Sequence, residues 1–187
     1  MNITNRTAAP LFTLLLLWHS IDVYAEDGAA TATGHILKYG IFDVVKAGNV
    51  KADSSTGTGK IVSKPTIALR EQTRRIPLEP DVHFGYQYRL SLPATTSYAT
   101  LTRVLRHPEM VKPDGSRSTG SSRDIRERVK RGNVFALDGY ALTEPYEMVA
   151  GEWVFQIWHE RTLLVEQTFV TYPPEPTAAA STDRDHR

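Results

Sequence analysis

Nine residues near the C-terminus, Gly-Glu-Trp-Val-Phe-Gln-Ile-Trp-His at 151–159, constrain the fold of this chain more than any other stretch. Large apolar side chains stand at every second position there: Trp153, Phe155 and Ile157. A period of two is the mark of a strand with one buried face, because successive side chains leave opposite sides of the pleat. A second β-rich run, 163–171, follows close enough to fold back as a hairpin. This pair is expected at the centre of a β core, with Val154 and Trp158 turned outward.

The same rhythm recurs upstream. Phe84, Tyr86, Tyr88, Leu90 and Leu92 share one face, while Gly85, Gln87, Arg89 and Ser91 share the other. An antiparallel sheet with one packed and one wet face calls for that pattern. Further strands are expected over 35–47 (with a kink at Gly40), 66–75, 101–107 (ended by Pro108) and 133–142, and a short one at Ile61-Val62. Pro113-Asp114-Gly115-Ser116 is a turn. One segment, 122–131, supports two readings. Ser122 as a cap, the Ile125/Val129 pair and Gly132 suit a short helix, and its charges equally suit an edge strand or loop. About seven strands punctuated by Pro and Gly predict an all-β, antiparallel β-sandwich of the immunoglobulin or fibronectin-III kind. The Cys-Trp-Cys pattern of antibody domains is absent, since the chain has no cysteine.

The ends read differently from the middle. Residues 1–25 combine Arg6, an apolar run over 8–18 and Val23-Tyr24-Ala25, the layout of a secretory signal peptide. The run is shorter than the about 20 residues a membrane-spanning helix needs. A loose leader is expected over 26–34, the β-sandwich domain over 35–172, and a disordered tail over 173–187, which opens on two prolines. Without cysteine, thiol catalysis, thiolate metal sites and disulfide staples are excluded. The formal net charge of +1 points to no particular partner.

Tyr39-Gly40-Ile41, Thr73 with Ile76-Pro77, Phe84-Gly85, His107-Pro108, Gly115, and Glu147 ahead of Gly151-x-Trp153-x-Phe155-x-Ile157 with Phe169 together resemble a bacterial family of domains of unknown function, number thirty-eight fifty-nine. The resemblance covers most of 35–172. It implies an exported or envelope-associated β domain, with no catalytic residues to carry over. The chain departs from the pattern in two places. It lacks a glycine in the link after His159, and it carries the basic segment 123–131.

Local motifs for chemistry are weak. Thr56-Gly57-Thr58-Gly59-Lys60 fails as a phosphate loop, because Ser54 and Ile61 stand where the pattern needs Gly and Ser/Thr. His83, His107 and His159 have no ligand-like spacing, so no metal or other cofactor is expected. No Ser has a nucleophile-elbow setting, and acids such as Glu144/Glu147 and Glu152/Glu160 read as surface. No catalytic residue is assigned.

Between residues 103 and 131 stand nine Lys or Arg against four Asp or Glu. The candidate contact surface is accordingly Arg123, Arg126, Arg128, Lys130 and Arg131, for an anionic envelope component or a protein. The aromatics a base-stacking platform interleaves are missing there, so nucleic acid is not expected. Trp158, turned outward, is a second candidate contact, for a glycan or a protein. The expected function is an exported, non-catalytic binding or structural module. The alternatives are a carbohydrate-binding or glycan-processing accessory domain and a metal-dependent hydrolase.

Overall fold

A computed structural model describes residues 31–54, 60–63, 66–93 and 97–174. The signal segment, most of the leader, the tail beyond Pro174 and most of the loop at 56–60 lie outside the described residues. Among the described residues eleven strands occur in order: β1 (Thr33–Lys46), β2 (Asn49–Ala52), β3 (Lys60–Ser63), β4 (Thr66–Glu71), β5 (Arg75–Pro77), β6 (His83–Ser91), β7 (Tyr98–Val111), β8 (Arg117–Arg128), β9 (Asn133–Ala141), β10 (Gly151–His159) and β11 (Thr162–Tyr172). Seven of them have nine residues or more, and the other four are short.

The strands form a four-stranded sheet ordered β4-β1-β6-β9 and a five-stranded sheet ordered β5-β11-β10-β7-β8, with β2 and β3 as a separate small arm. All pairings are antiparallel except β5 on β11. The all-β, antiparallel sandwich expected from the sequence is what forms. Its core comes from the two alternating runs. Phe84, Tyr86, Tyr88 and Leu90 of β6 are fully buried, as are Trp153, Phe155 and Ile157 of β10 and Phe169 of β11. The Phe84 ring meets Trp153, Phe155 and Phe169 of the opposite sheet edge-on, with ring centres 5.4, 6.0 and 5.3 Å away. Aromatic edges against faces are the favoured geometry, and burying each such ring stabilises by about 1.5–3 kcal/mol.

The kink expected in β1 is real. Gly40 takes φ 137° beside a register shift, and a Cβ there would strike the Glu71 carbonyl. The terminal hairpin turns without glycine by placing Glu160 in the left-handed region, at φ 55°.

Two expectations need correction. Residues 122–131 form no helix: β8 pairs with β7 from Arg128 opposite Tyr98 to Arg117 opposite Val111. Ile125 and Val129, four apart, satisfy a period of two as well as a helical one, and a long ladder outweighs a short one-stripe helix. Pro108 does not end its strand. β7 runs through to Val111, and the ladder shifts register between Arg106 and Met110, so the proline falls where no backbone donor is needed. Within the 133–142 strand, the side chains of Phe135 and Leu137 share one face. They point outward, 66% and 37% exposed, while Val134 and Asp138 point in.

Candidate functional site

The alternation of β8 sorts its charges. Ser122, Asp124, Arg126 and Arg128 stand on the outer, exposed face, continued by Lys130, whereas Arg123, Ile125 and Glu127 stand on the inner, half-buried one. In the link to β9, residues 129–132, Arg131 and Gly132 make the turn, with φ 51° and 74° and a bridge from Lys130 to Asn133. Two successive positive φ angles make a tight turn of the type that reverses the chain in two residues. Arg131 pays for it sterically, because a left-handed residue with a Cβ costs about 1–2 kcal/mol.

The outer cations therefore cluster. Arg128, Lys130 and Arg131, with Ser97 and Val129, line an open recess of about 560 Å³ at the end of the five-stranded sheet. Tyr98 sits opposite Arg128, and the Arg126 guanidinium lies 4.3 Å from the centre of its ring. Among the described residues, none of Arg126, Arg128, Lys130 and Arg131 makes an ion pair. Asp124 accepts from the Thr102 hydroxyl at 2.8 Å.

Two sequence candidates do not join this cluster. Arg123 faces inward and bonds the Asp53 carboxylate at 2.9 Å, tying β8 to the segment after β2. Trp158 stands on the outer face opposite Thr102, but it is half-buried and its indole N–H donates to Gln156 at 3.1 Å.

The interior holds polar groups of a different kind. Arg103 of β7 bonds Asp138 of β9 across the two sheets at 2.6 Å, and both are buried. The Tyr86 hydroxyl donates to the other Asp138 oxygen at 3.3 Å. Burial and the adjacent Asp138 charge hold the Tyr86 phenol well above its usual range. Burial works against the Arg103 charge, but Asp138 outweighs it, and the guanidinium stays charged.

Glu147 is fully buried, contrary to the surface reading of the Glu144/Glu147 pair. Its carboxylate accepts from the Tyr140 hydroxyl (2.9 Å) and from the backbone N–H groups of Thr143 (2.7 Å) and Glu144 (2.9 Å). His107 lies between Ser118 and Trp153, and its Nδ1 donates to the Pro108 carbonyl at 2.7 Å. Burial pushes the imidazole below its ordinary value, against the pull of that carbonyl and of Glu147. Each of these groups has its hydrogen-bond partner inside the fold. No three His, Asp or Glu side chains are placed to hold a metal ion among the described residues.

A family model described as a domain of unknown function, DUF3859, matches residues 14–171. The chain belongs to that family. An immunoglobulin-like protein (PA1606) from Pseudomonas aeruginosa, known from a crystal structure, is 24% identical, with a TM-score of 0.51 over 78% of this chain and 99% of its own. At that identity the likeness speaks for the fold alone. No curated protein matches. Neither match indicates a catalytic family.

Sequence reasoning missed three features of this DUF3859 domain, and each left a signal. Arg103 shares the inward parity of Leu101 and Leu105, and Asp138 that of Val134, so opposite charges lay at core positions of two strands. Glu147 stands three residues after Glu144 with Pro145 between, the spacing of a capping box. Tyr98 was passed over because it precedes the basic segment by some twenty-five residues in the chain and meets it only through strand pairing.

Proposed function

We propose that this DUF3859 domain is an exported module that acts by binding, and that its contact is the basic outer end of β8. The observation that carries this is the sorting of Arg126, Arg128 and Lys130 onto one exposed face beside Arg131, with no ion pair among the described residues. Exposed cations left without acidic partners keep their field for a ligand. Near an anionic lipid surface each contributes about 1 kcal/mol, fading within a Debye length. The partner class that suits them is a phosphate-bearing envelope surface. The secretory layout of residues 1–25 supports that location, and N-terminal sequencing of the exported form, expected to begin near Glu26, checks it.

The direct test is cosedimentation with vesicles containing anionic phospholipid, against neutral vesicles, over a salt series. The triple variant Arg126→Gln, Arg128→Gln, Lys130→Gln should lose about a hundredfold in affinity, from about 1 kcal/mol per cation. Wild-type binding should weaken as salt rises. Equal binding to both vesicles, or a triple variant that binds like wild type, overturns the proposal.

A further inference from the structure

The second inference concerns β9, the last strand of the four-stranded sheet. All nine of its residues pair with β6 on one side, and no described strand pairs with the other. The other ends of the two large sheets are guarded in ways proteins use to prevent edge-to-edge pairing. β5 has three residues and ends in Pro77, β4 ends in Arg70 and Glu71, and β8 carries six charged residues. β9, Asn-Val-Phe-Ala-Leu-Asp-Gly-Tyr-Ala, has no Lys, Arg, Glu or Pro. Its one charge, Asp138, points inward and is held by Arg103. Its outer face shows Phe135 and Leu137, next to Leu37 of β1, which is 50% exposed. Leu37, Gln87, Phe135 and Leu137 border an open recess of about 330 Å³.

We infer that β9 pairs antiparallel with β9 of a second copy of this chain, joining two four-stranded sheets into one about a two-fold axis at Leu137. The strand is complementary to itself in that register. Leu137 meets Leu137, and each Phe135 lies opposite Gly139 of the other copy, where an aromatic ring can cover a residue with no side chain. Ala136 faces Asp138 and Asn133 faces Ala141, so no charge meets a like charge and all nine residues find a partner. Such an isologous contact is the commonest form of dimer, and the pairing leaves the basic end of β8 outside the new ladder.

The test is sedimentation of the purified protein over a concentration series. Wild type should move from chain mass to twice that mass. Leu137→Lys and Leu137→Glu place like charges at the axis, so each should stay at chain mass, while an equal mixture of the two should recover the doubled mass. Leu137→Cys, in a chain with no other cysteine, should cross-link to a covalent dimer under mild oxidant, since directly opposed residues lie within disulfide reach. Circular dichroism confirms folding, and the cysteine variant keeps the test open should a charged one fail to fold. A wild type that stays at chain mass throughout, as it would if the edge took a peptide of another protein, overturns the inference. So does a Leu137→Lys variant that dimerises like wild type, or a cysteine variant that does not cross-link.

Discussion

β8 and β9 are consecutive strands joined by residues 129–132, and each ends a different sheet on the same flank of the sandwich. Their chemistry is nearly opposite. β8 alternates charge with small or half-buried residues, and β9 shows apolar side chains on both faces. An edge strand offers unpaired backbone groups, and charge keeps other chains away from them. Under the two proposals above, β8 presents side chains to a partner and β9 presents its backbone, so the two contacts would not compete.

The largest effect that could break this contrast lies in the single charge of each strand's busiest position. Asp138 is the only charge of β9, and it holds the buried Arg103 between the two sheets. Asp138→Ala leaves that guanidinium buried without its carboxylate and should cost about 3–5 kcal/mol in urea unfolding. Arg126→Ala, on the exposed face of β8, should cost no more than about 0.5 kcal/mol. Replacing both members of the buried pair, Arg103→Met with Asp138→Leu, should recover most of the loss, because apolar residues of similar volume fill such sites well. Equal costs for the two single variants would mean that β9 is not anchored through this pair.

The contrast also separates what the chain discloses from what it hides. The rows Phe84 to Leu92 and Trp153 to Ile157 were legible because a strand near the middle of a sheet needs one continuous apolar face, and five or three large side chains in phase leave no other reading. Edges carry no such demand. Ile125 and Val129 fit a helix and a strand alike, and only the ladder with β7 decided between them. The outward turn of Phe135 and Leu137 was not legible, because periodicity shows which residues share a face and not which face is covered. The basic surface was half legible. Its charges lay in one run, but the inward turn of Arg123 and the arrival of Tyr98 depend on strand parity and pairing.

A second test sharpens the account of how β8 is held at its far end. His107 of β7 accepts from Ser118 of β8 at 3.3 Å through the ring nitrogen that does not bond Pro108. Burial lowers its folded pKa below the ordinary 6.5, so the unfolded chain takes up the proton first. The stability this neutral ring contributes is complete above about pH 6.5 and is lost as pH falls through the folded value. Urea unfolding should show lower stability at about pH 5.5 than at about pH 7.5, and His107→Gln should flatten that slope. Glu127, whose carboxyl burial raises, acts in the opposite sense, so the difference between wild type and the histidine variant is the quantity to read. A slope unchanged in the variant would remove His107 from the packing of β8 on β7.

The smallest expected effect sits at the joint between the two strands. Arg131 holds a left-handed conformation at φ 51°, which asparagine tolerates better than arginine. Arg131→Asn should therefore stabilise the fold by about 0.5 kcal/mol while weakening vesicle binding several-fold, since it removes one cation from the rim of the recess. Opposite signs in the two measurements would identify a residue kept at a strained turn for its charge. A variant that gained stability and bound as well as wild type would place the useful charge at Arg126 and Arg128 of β8 with Lys130 just beyond it, and leave the turn as the point where the chain passes from one sheet to the other.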